Sequence, residues 1–404
     1  MRRVVSRRDF LLESGAAAGL TASSSLGRAY GANDRIRIGV IGTGGKGQSH
    51  IRNLKKTANT EVVAVCDVYS YRLEQARGLT DNKAEGYDDY RRILDRKDLD
   101  AVMIVTPDHH HREQFLEALK AGKDIYLEKP LARTIEEGQE MVKAARASRQ
   151  VVQIGSQKRS ADQWARAKEI IDSGRLGKIY MVRMWDLRNW IVRDPFAPPA
   201  EMQGEVDWKR FLGHAPKVPF NKHRYFAWRW FWDYAGGLMT DIGAHQVDAM
   251  QWLMGVDAPL SVVAHGGIHH FDYWQTPDVV HQLVDYGKFS AQVTYNFLNS
   301  HEGEGGRFYG TQGTLEVVGH NLRLFPQPLE PGQRVDTTKP ELEYQGGNDV
   351  VAHLENWLDC IRSRKTPNAP IEVAHRSITT AHLANIAYKT GKKVNWDGAR
   401  EKIV

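Results

Sequence analysis

Between residues 34 and 154, short apolar runs alternate with stretches of helical spacing. Residues 36–41, 61–66, 99–105, 123–127 and 151–154 are apolar over most of their length, as expected of strands buried on both faces of a parallel sheet. The intervening spacing predicts helices from about residue 48, over 111–121 and over 135–148. From about residue 155 the pattern changes. A helix over 162–173 is followed by runs such as 179–186 and 289–297, where apolar and polar positions alternate as in an antiparallel sheet with one solvated face. A loop rich in Pro, Gly and charge covers 328–347, and helices are expected at 348–363 and 372–390. The predicted fold class is α/β, with a doubly wound parallel sheet over 33–154 and a C-terminal α+β domain over 155–404 with a mainly antiparallel sheet.

The turns between these elements carry the chemistry. The first run enters Gly42-Thr43-Gly44-Gly45-Lys46-Gly47, a G-x-G-x-x-G loop before a helix, which is the arrangement of a Rossmann dinucleotide site. Gly42 permits a tight turn, Gly44 lets a pyrophosphate approach the backbone, and Gly47 lets helix pack on strand, with the helix N-terminus facing the phosphates. The second run ends in Asp67, 20 residues after Gly47. A carboxylate there accepts from ribose hydroxyls and repels a 2′-phosphate, so NAD is the expected cofactor, with NADP kept open by Arg72 one helical turn later. Thr106 and Lys129, the latter within Glu128-Lys129-Pro130, also fall at strand ends, where ligands of such sheets bind.

A second chemical stretch runs from Gly236-Gly237 through Asp241 and His245 to Asp248. Asp241 and His245 stand four apart at the start of an expected helix and would share one face as an acid/base pair. Just upstream, residues 225–234 are dense in aromatics with interspersed Arg and Asp, suited to packing and to a sugar's apolar face and hydroxyls. His109, His110 and His111 are adjacent, a poor arrangement for one ion, so no metal is expected.

Composition adds bounds. With 404 residues, 41% of them hydrophobic and 26% charged, the chain suits two globular domains. About half of the formal charge of +6 lies in the first 31 residues, so nucleic-acid binding is not implied. Cys66 and Cys360 read as buried hydrophobes. Ser6-Arg7-Arg8-Asp9-Phe10-Leu11-Leu12 and the Ala/Gly-rich run after it match a twin-arginine export signal over residues 1–32, too short and Ser-rich for a membrane anchor. The expected location is therefore periplasmic or otherwise extracytoplasmic, reached in the folded state with cofactor already bound.

Taken together, Gly42 to Gly47, Thr106-Pro107 with His111, Glu128-Lys129-Pro130 and Gly236-Gly237 through Asp248 resemble the glucose-fructose oxidoreductase / inositol dehydrogenase / rhizopine catabolism (Gfo/Idh/MocA) family over nearly the whole chain after the leader. The resemblance implies a large open C-terminal sheet and homodimers or homotetramers formed across it. It implies catalysis by Lys129, Asp241 and His245, and a dinucleotide site lined by Gly42, Gly44, Gly45, Lys46, Gly47, Asp67, Arg72, Thr106, His111, Glu128 and Lys129. Gln157, Arg159, Arg229 and Tyr234 are candidate contacts to a small carbohydrate. The implied reaction moves hydride between a sugar, polyol or glycoside hydroxyl and a tightly held NAD(P), with His245 as proton acceptor and Asp241 orienting it or holding a neighbouring hydroxyl. Export makes free NAD scarce, which brings in a redox-neutral cycle, as a sugar-sugar oxidoreductase or an NAD-dependent glycosidase. The family's glycosidase branch carries a different segment where this chain has Asp241 to His245. A non-catalytic sugar sensor would need no acid/base set.

Overall fold

A computed structural model describes residues 35–404 other than 329, 331 and 348; the expected export signal at 1–32 lies outside the described residues. The apolar runs become strands β1 (Ile36–Ile41), β2 (Thr60–Cys66), β4 (Ala101–Ile104), β5 (Asp124–Leu127) and β6 (Val152–Ile154), joined by a short β3 (Glu85–Tyr87). They form one parallel sheet in the order β3-β2-β1-β4-β5-β6. That order reverses beside β1, and the reversal opens a crevice at the carboxyl ends of the strands, where the glycine loop lies. Gly42 adopts φ +88°, a left-handed conformation that glycine alone takes without strain.

The second sheet has ten strands, beginning with β7 (Ile179–Leu187). Next come β8 (Ser261–Gly267), β9 (Val279–Asp285), β10 (Ser290–Asn296), β11 (Glu304–Gly310) and β12 (Gly313–Val318). The remainder are β13 (Asn321–Pro326), β14 (Leu342–Gln345), β15 (Val394–Asp397) and β16 (Lys402–Ile403). Its order is β14-β13-β12-β11-β7-β10-β9-β8-β15-β16, antiparallel except where β10 runs parallel to β7. Val262, Val284, Ala291, Val182, Phe308, Leu315 and Leu324 lie in register across the inner face and are buried. Helices Asp162–Asp172, Gly243–Met254 and Ile371–Thr390 pack against this sheet. One register step away, Val263, Leu283, Gln292, Arg183, Arg307, Glu316 and Arg323 form a row on the outer face. Leu283 is 57% exposed there, so one side of the sheet is open.

The segment Gly236–Asp248 departs from the single helix its spacing predicts. A short helix, Gly237–Asp241, ends at Ile242, and a new one, Gly243–Met254, begins. The His245 amide donates to the Ile242 carbonyl at 3.0 Å instead of reaching Asp241, which leaves the Asp241 carbonyl free for a side chain.

Candidate active site

The glycine loop forms the floor of a cleft of about 820 Å³. Among the residues expected at the cofactor, Gly42, Gly44, Gly45, Lys46, Asp67, Arg72 and Thr106 line it. Methyl groups test the cradle. A Cβ at Gly42 would sit 2.6 Å from the Val105 carbonyl oxygen, and one at Gly47 would sit 2.1 Å from that of Gly42, so both are required by packing. A Cβ at Gly45 would meet nothing within 4 Å, and one at Gly44 nothing nearer than Arg72 Nη1 at 3.5 Å. The first helix, Gly45–Leu54, has no side-chain cap, so its leading amides are open to an anion.

Asp67 is buried at the end of β2. Its Oδ2 accepts from the Thr43 amide (2.7 Å) and hydroxyl (3.1 Å), and Oδ1 accepts from the Tyr69 amide (2.9 Å). A carboxylate has about four acceptor positions, so one stays available to a ribose hydroxyl. Arg72 rests on an aromatic shelf, with its guanidinium 5.1 Å above Tyr225 and 5.3 Å above Phe226 and donating to Tyr225 Oη at 3.2 Å. These features fit a dinucleotide whose adenosine ribose carries no phosphate.

Next to this cleft lies a charge cluster. Lys129 Nζ donates both to Asp241 Oδ1 (2.8 Å) and to the Asp241 carbonyl (2.7 Å), the group freed by the helix break. Arg229, which lines the cleft, places Nε 3.4 Å from the same carboxylate oxygen and stacks on Trp228 at 4.2 Å. Burial would raise the Asp241 carboxyl, but Lys129, Arg229 and Arg188 outweigh it and hold the group well below the usual carboxylate range. His245 is part-buried, and its ring makes no hydrogen bond among the described residues. Burial, then Lys129 and Lys158, push its pKa well below the ordinary 6.5, so the imidazole is neutral at physiological pH. The Asp241 carboxylate is thus engaged by two cations, Lys129 and Arg229, and is not hydrogen-bonded to the imidazole.

Several expected contacts prove to be supports. His111 is fully buried, with its two ring nitrogens against the carbonyls of Pro130 (2.7 Å) and Thr106 (2.9 Å). It braces the loops around Lys129 and stands away from the cleft wall. Glu128 is likewise internal, with Oε1 2.6 Å from His50 Nε2, 3.0 Å from Gln157 Nε2 and 3.6 Å from Lys46 Nζ. Burial opposes its ionisation, yet Lys46 and His50 hold its pKa well below the usual value. The Gln157 amide also donates to Tyr126 Oη at 3.0 Å, which commits both of its hydrogens. Arg159 is paired with buried Asp248 at 2.9 Å, and Tyr234 is buried against His109. Gln157, Arg159 and Tyr234 are thus framework, and Arg229 is the one expected substrate contact beside the cluster.

Other residues were missed in the sequence. Asp186 and Glu304 stand directly opposite each other on β7 and β11, and Arg188 grips Asp186 at 2.7 and 2.8 Å. Burial raises the Asp186 carboxyl, while Lys158 lowers that of Glu304, the pattern of two carboxyls sharing a proton. Asp108 is buried beside the cluster and is pushed well above its usual range by desolvation and then by Asp241. One signal was available for Asp186: it is in phase with the inward-facing Val182 and Met184, so a carboxylate was due in the core register.

A helix N-terminus open to phosphates, a carboxylate at the end of β2 lining the cleft and a lysine-centred cluster beside them define a dinucleotide-dependent oxidoreductase. The chain belongs to the Gfo/Idh/MocA oxidoreductase family. Residues 36–156 match the profile described as "Oxidoreductase family, NAD-binding Rossmann fold", and residues 164–316 match the "GFO/IDH/MocA C-terminal domain". Inositol 2-dehydrogenase 3 of Saccharopolyspora erythraea is 35% identical over 341 residues, 81% of this chain and 85% of that one. The scyllo-inositol 2-dehydrogenase (NAD(+)) of Bacillus subtilis is 26% identical over 378 residues, covering 91% and 98%. Levoglucosan dehydrogenase, solved with NADH and levoglucosan, superposes with a TM-score of 0.70 over 89% of this chain and 99% of that one at 20% identity, a likeness of fold.

Proposed function

We propose that this protein is an NAD-dependent dehydrogenase of a sugar, cyclic polyol or glycoside. The observation that carries the reading is the Lys129–Asp241 ion pair beside the glycine-floored cleft, with a neutral His245 one helical turn away. Bound NAD supplies the acceptor for the hydride leaving the hydroxyl-bearing carbon. The unpartnered imidazole of His245 is the group able to take the hydroxyl proton, because it is uncharged at neutral pH. Lys129, fixed by two bonds to Asp241, has one ammonium hydrogen left to donate to the substrate oxygen, and its charge favours the oxygen as negative character grows. Arg229, on its aromatic shelf, offers further donors to neighbouring hydroxyls. The relatives named for inositol support a cyclic polyol as the first substrate class to test. The experiment is a panel of inositols, free sugars and glycosides mixed with purified protein and NAD, following reduced-nicotinamide absorbance. A lasting rise with one class is expected; silence across the panel from protein that binds NAD would refute the reading.

One observation favours redox-neutral turnover as a second reading. Residues of the segment 195–229 share the lining of the cleft with the glycine loop. That segment is tied down by Asp207 N to Val68 O (2.8 Å), Ser70 N to Glu205 O (3.0 Å) and Arg210 to Asp88 (2.7 Å). A wall anchored in this way favours slow cofactor exchange and suits an NAD that is reoxidised in place. NAD that copurifies with the protein, with substrate converted and no lasting absorbance change, is the outcome expected of that cycle.

Two further parts of the reading concern where and how the protein works. The twin-arginine motif Ser6-Arg7-Arg8-Asp9-Phe10 supports export of the folded, cofactor-loaded protein; replacing Arg7 and Arg8 by Lys should retain it in the cytoplasm. The outer face of the ten-stranded sheet, with Leu283 and Val263 exposed, supports a homodimer or homotetramer built across it. Light scattering should show assembly, and Leu283→Glu should weaken it.

A further inference from the structure

The plan of the charge cluster is repeated beside it. In the first unit, Arg229 lies on Trp228 (4.2 Å) and Phe196 (4.6 Å) and places Nε 3.4 Å from the Asp241 carboxylate. In the second, Arg188 lies on Phe297 (5.3 Å) and Trp190 (5.9 Å) and grips the Asp186 carboxylate through Nε and Nη2. The units adjoin. The Phe196 and Trp190 rings meet edge to face at 5.3 Å, and Arg188 is near enough to Asp241 for each charge to act on the other. Phe196, Trp228 and Arg229 line the glycine-floored cleft, and from Phe196 the second unit continues that wall through Trp190.

The second unit follows from strand register. Asp186 shares the inner face of β7 with Val182 and Met184, and Arg188, two residues on, falls on the same side just past the strand end. Glu304, the first residue of β11, stands directly opposite Asp186 and so joins them. Where the first unit is closed, the second is open: Asp241 is 6% exposed, whereas the Arg188 side chain is 39% exposed and Glu304 is exposed. An arginine, a carboxylate and an aromatic ring together supply what one sugar ring needs, donors and acceptors for its hydroxyls and an apolar surface for its carbons. Arg188 still has the two hydrogens of Nη1 unbonded among the described residues. The facing carboxyls of Asp186 and Glu304, with one proton between them, can both donate and accept, as a sugar hydroxyl does. A single ring that meets Lys129 and His245 is served by the first unit alone, and a second unit of the same make, farther out and open at its rim, matches a second ring.

We propose that Asp186, Arg188 and Glu304 form a subsite for a second sugar ring, so that the substrate is a disaccharide-like glycoside with one ring at Lys129 and His245 and its neighbour held at the end of β7. Oxidation of the first ring rests on the dehydrogenase reading; the hold on the second does not, and binding measures it without turnover.

The test is calorimetric titration of the full protein saturated with NADH, which prevents oxidation of the probe. One-ring probes, D-glucose and methyl β-D-glucopyranoside, are compared with cellobiose, maltose, lactose and trehalose, and conversion is followed separately with NAD. At least one disaccharide should bind about tenfold or more tighter than either one-ring probe. Glu304→Ala, at an exposed position, and Arg188→Lys, which keeps a cation beside Asp186, should each remove most of that difference. One-ring binding and NADH affinity should stay at wild-type values in both variants, which reports correct folding. Disaccharides that bind no tighter than one ring, or an advantage that survives both variants, overturn the second-ring subsite. Disaccharide binding that is tight and lost in both variants, with neither NAD reduced nor disaccharide converted, keeps the subsite and refutes the dehydrogenase reading instead.

Discussion

The cofactor cleft and the charge cluster beside it are built on opposite principles. The cleft floor is backbone: two glycines whose missing methyl groups allow strand, loop and helix to touch, and two more that leave the surface bare. The cluster is side chain: Lys129, Arg229 and Arg188 hold one carboxylate ionised in spite of burial. Steric construction fails all at once, because a backbone atom cannot step aside. Electrostatic construction fails by degrees, because water and neighbouring charges make up part of any loss. Mutations in the two regions should therefore differ in kind.

The sharpest contrast comes from Gly47→Ala. Its Cβ would lie 2.1 Å from the Gly42 carbonyl oxygen, a contact no rotamer relieves. The expected cost is at the upper end for one substitution, about 4–5 kcal/mol, read as lost folding or a collapsed midpoint in denaturant. Stability close to wild type with NAD still bound would show that the cleft adapts and that the contrast is false.

Within the cluster, His245→Ala and Lys129→Ala should each lower turnover by about 10²–10⁴ while NAD binding persists. The pH profile separates their roles. His245 acts as a base only when neutral, and its pKa is lowered, so the acid limb of kcat/KM should fall below 6.5. Lys129 is the largest charge depressing that pKa, so Lys129→Met should move the limb of the residual activity upward. A limb that stays put would place the proton acceptor elsewhere.

How much of this was readable beforehand follows the same division. The parallel sheet and its cradle were legible because strand burial and glycine spacing are local properties of sequence. The break at Ile242 was not, since apolar spacing runs through it unchanged and only the ammonium of Lys129, 112 residues away, shows what the freed carbonyl is for. Glu128, Gln157 and His111 look like ligands in a motif and turn out to bind one another or backbone, which long-range packing alone determines. The order of the ten-stranded sheet, with β10 parallel to β7, also rests on pairings that no local pattern encodes.

Histidines held in the packing give the stability a pH dependence of its own. Burial pushes His110, His353 and His382 down to about 4, well under the ordinary 6.5. Below pH 6.5 the unfolded chain then binds protons that the folded chain refuses, so stability falls as pH drops, until about pH 4, where the folded forms protonate too. Each contributes at most about 1.4 kcal/mol per pH unit within that window. Denaturation midpoints measured from neutral to acid should show this slope.

The smallest effect is expected where the two principles meet, at Asp67. Three of its acceptor positions serve Thr43 and Tyr69, so the carboxylate is part of the cradle's architecture as well as the proposed ribose contact. Asp67→Asn keeps the size but removes the charge, and one of its oxygens becomes a donor facing either the Thr43 or the Tyr69 amide. NAD affinity should fall by about tenfold through the lost ribose acceptor, roughly 1.4 kcal/mol. Discrimination against NADP should shrink, because the repulsion of a 2′-phosphate goes with the charge. Arg72 is engaged with Tyr225 and the shelf around it, so it is poorly placed to reward that phosphate fully, and NADP should approach NAD without overtaking it. Paired titrations of the variant with both dinucleotides decide the point: a clear preference for NADP would mean that Arg72 leaves its shelf, and an undiminished preference for NAD would mean that shape alone, and not the Asp67 charge, selects the cofactor.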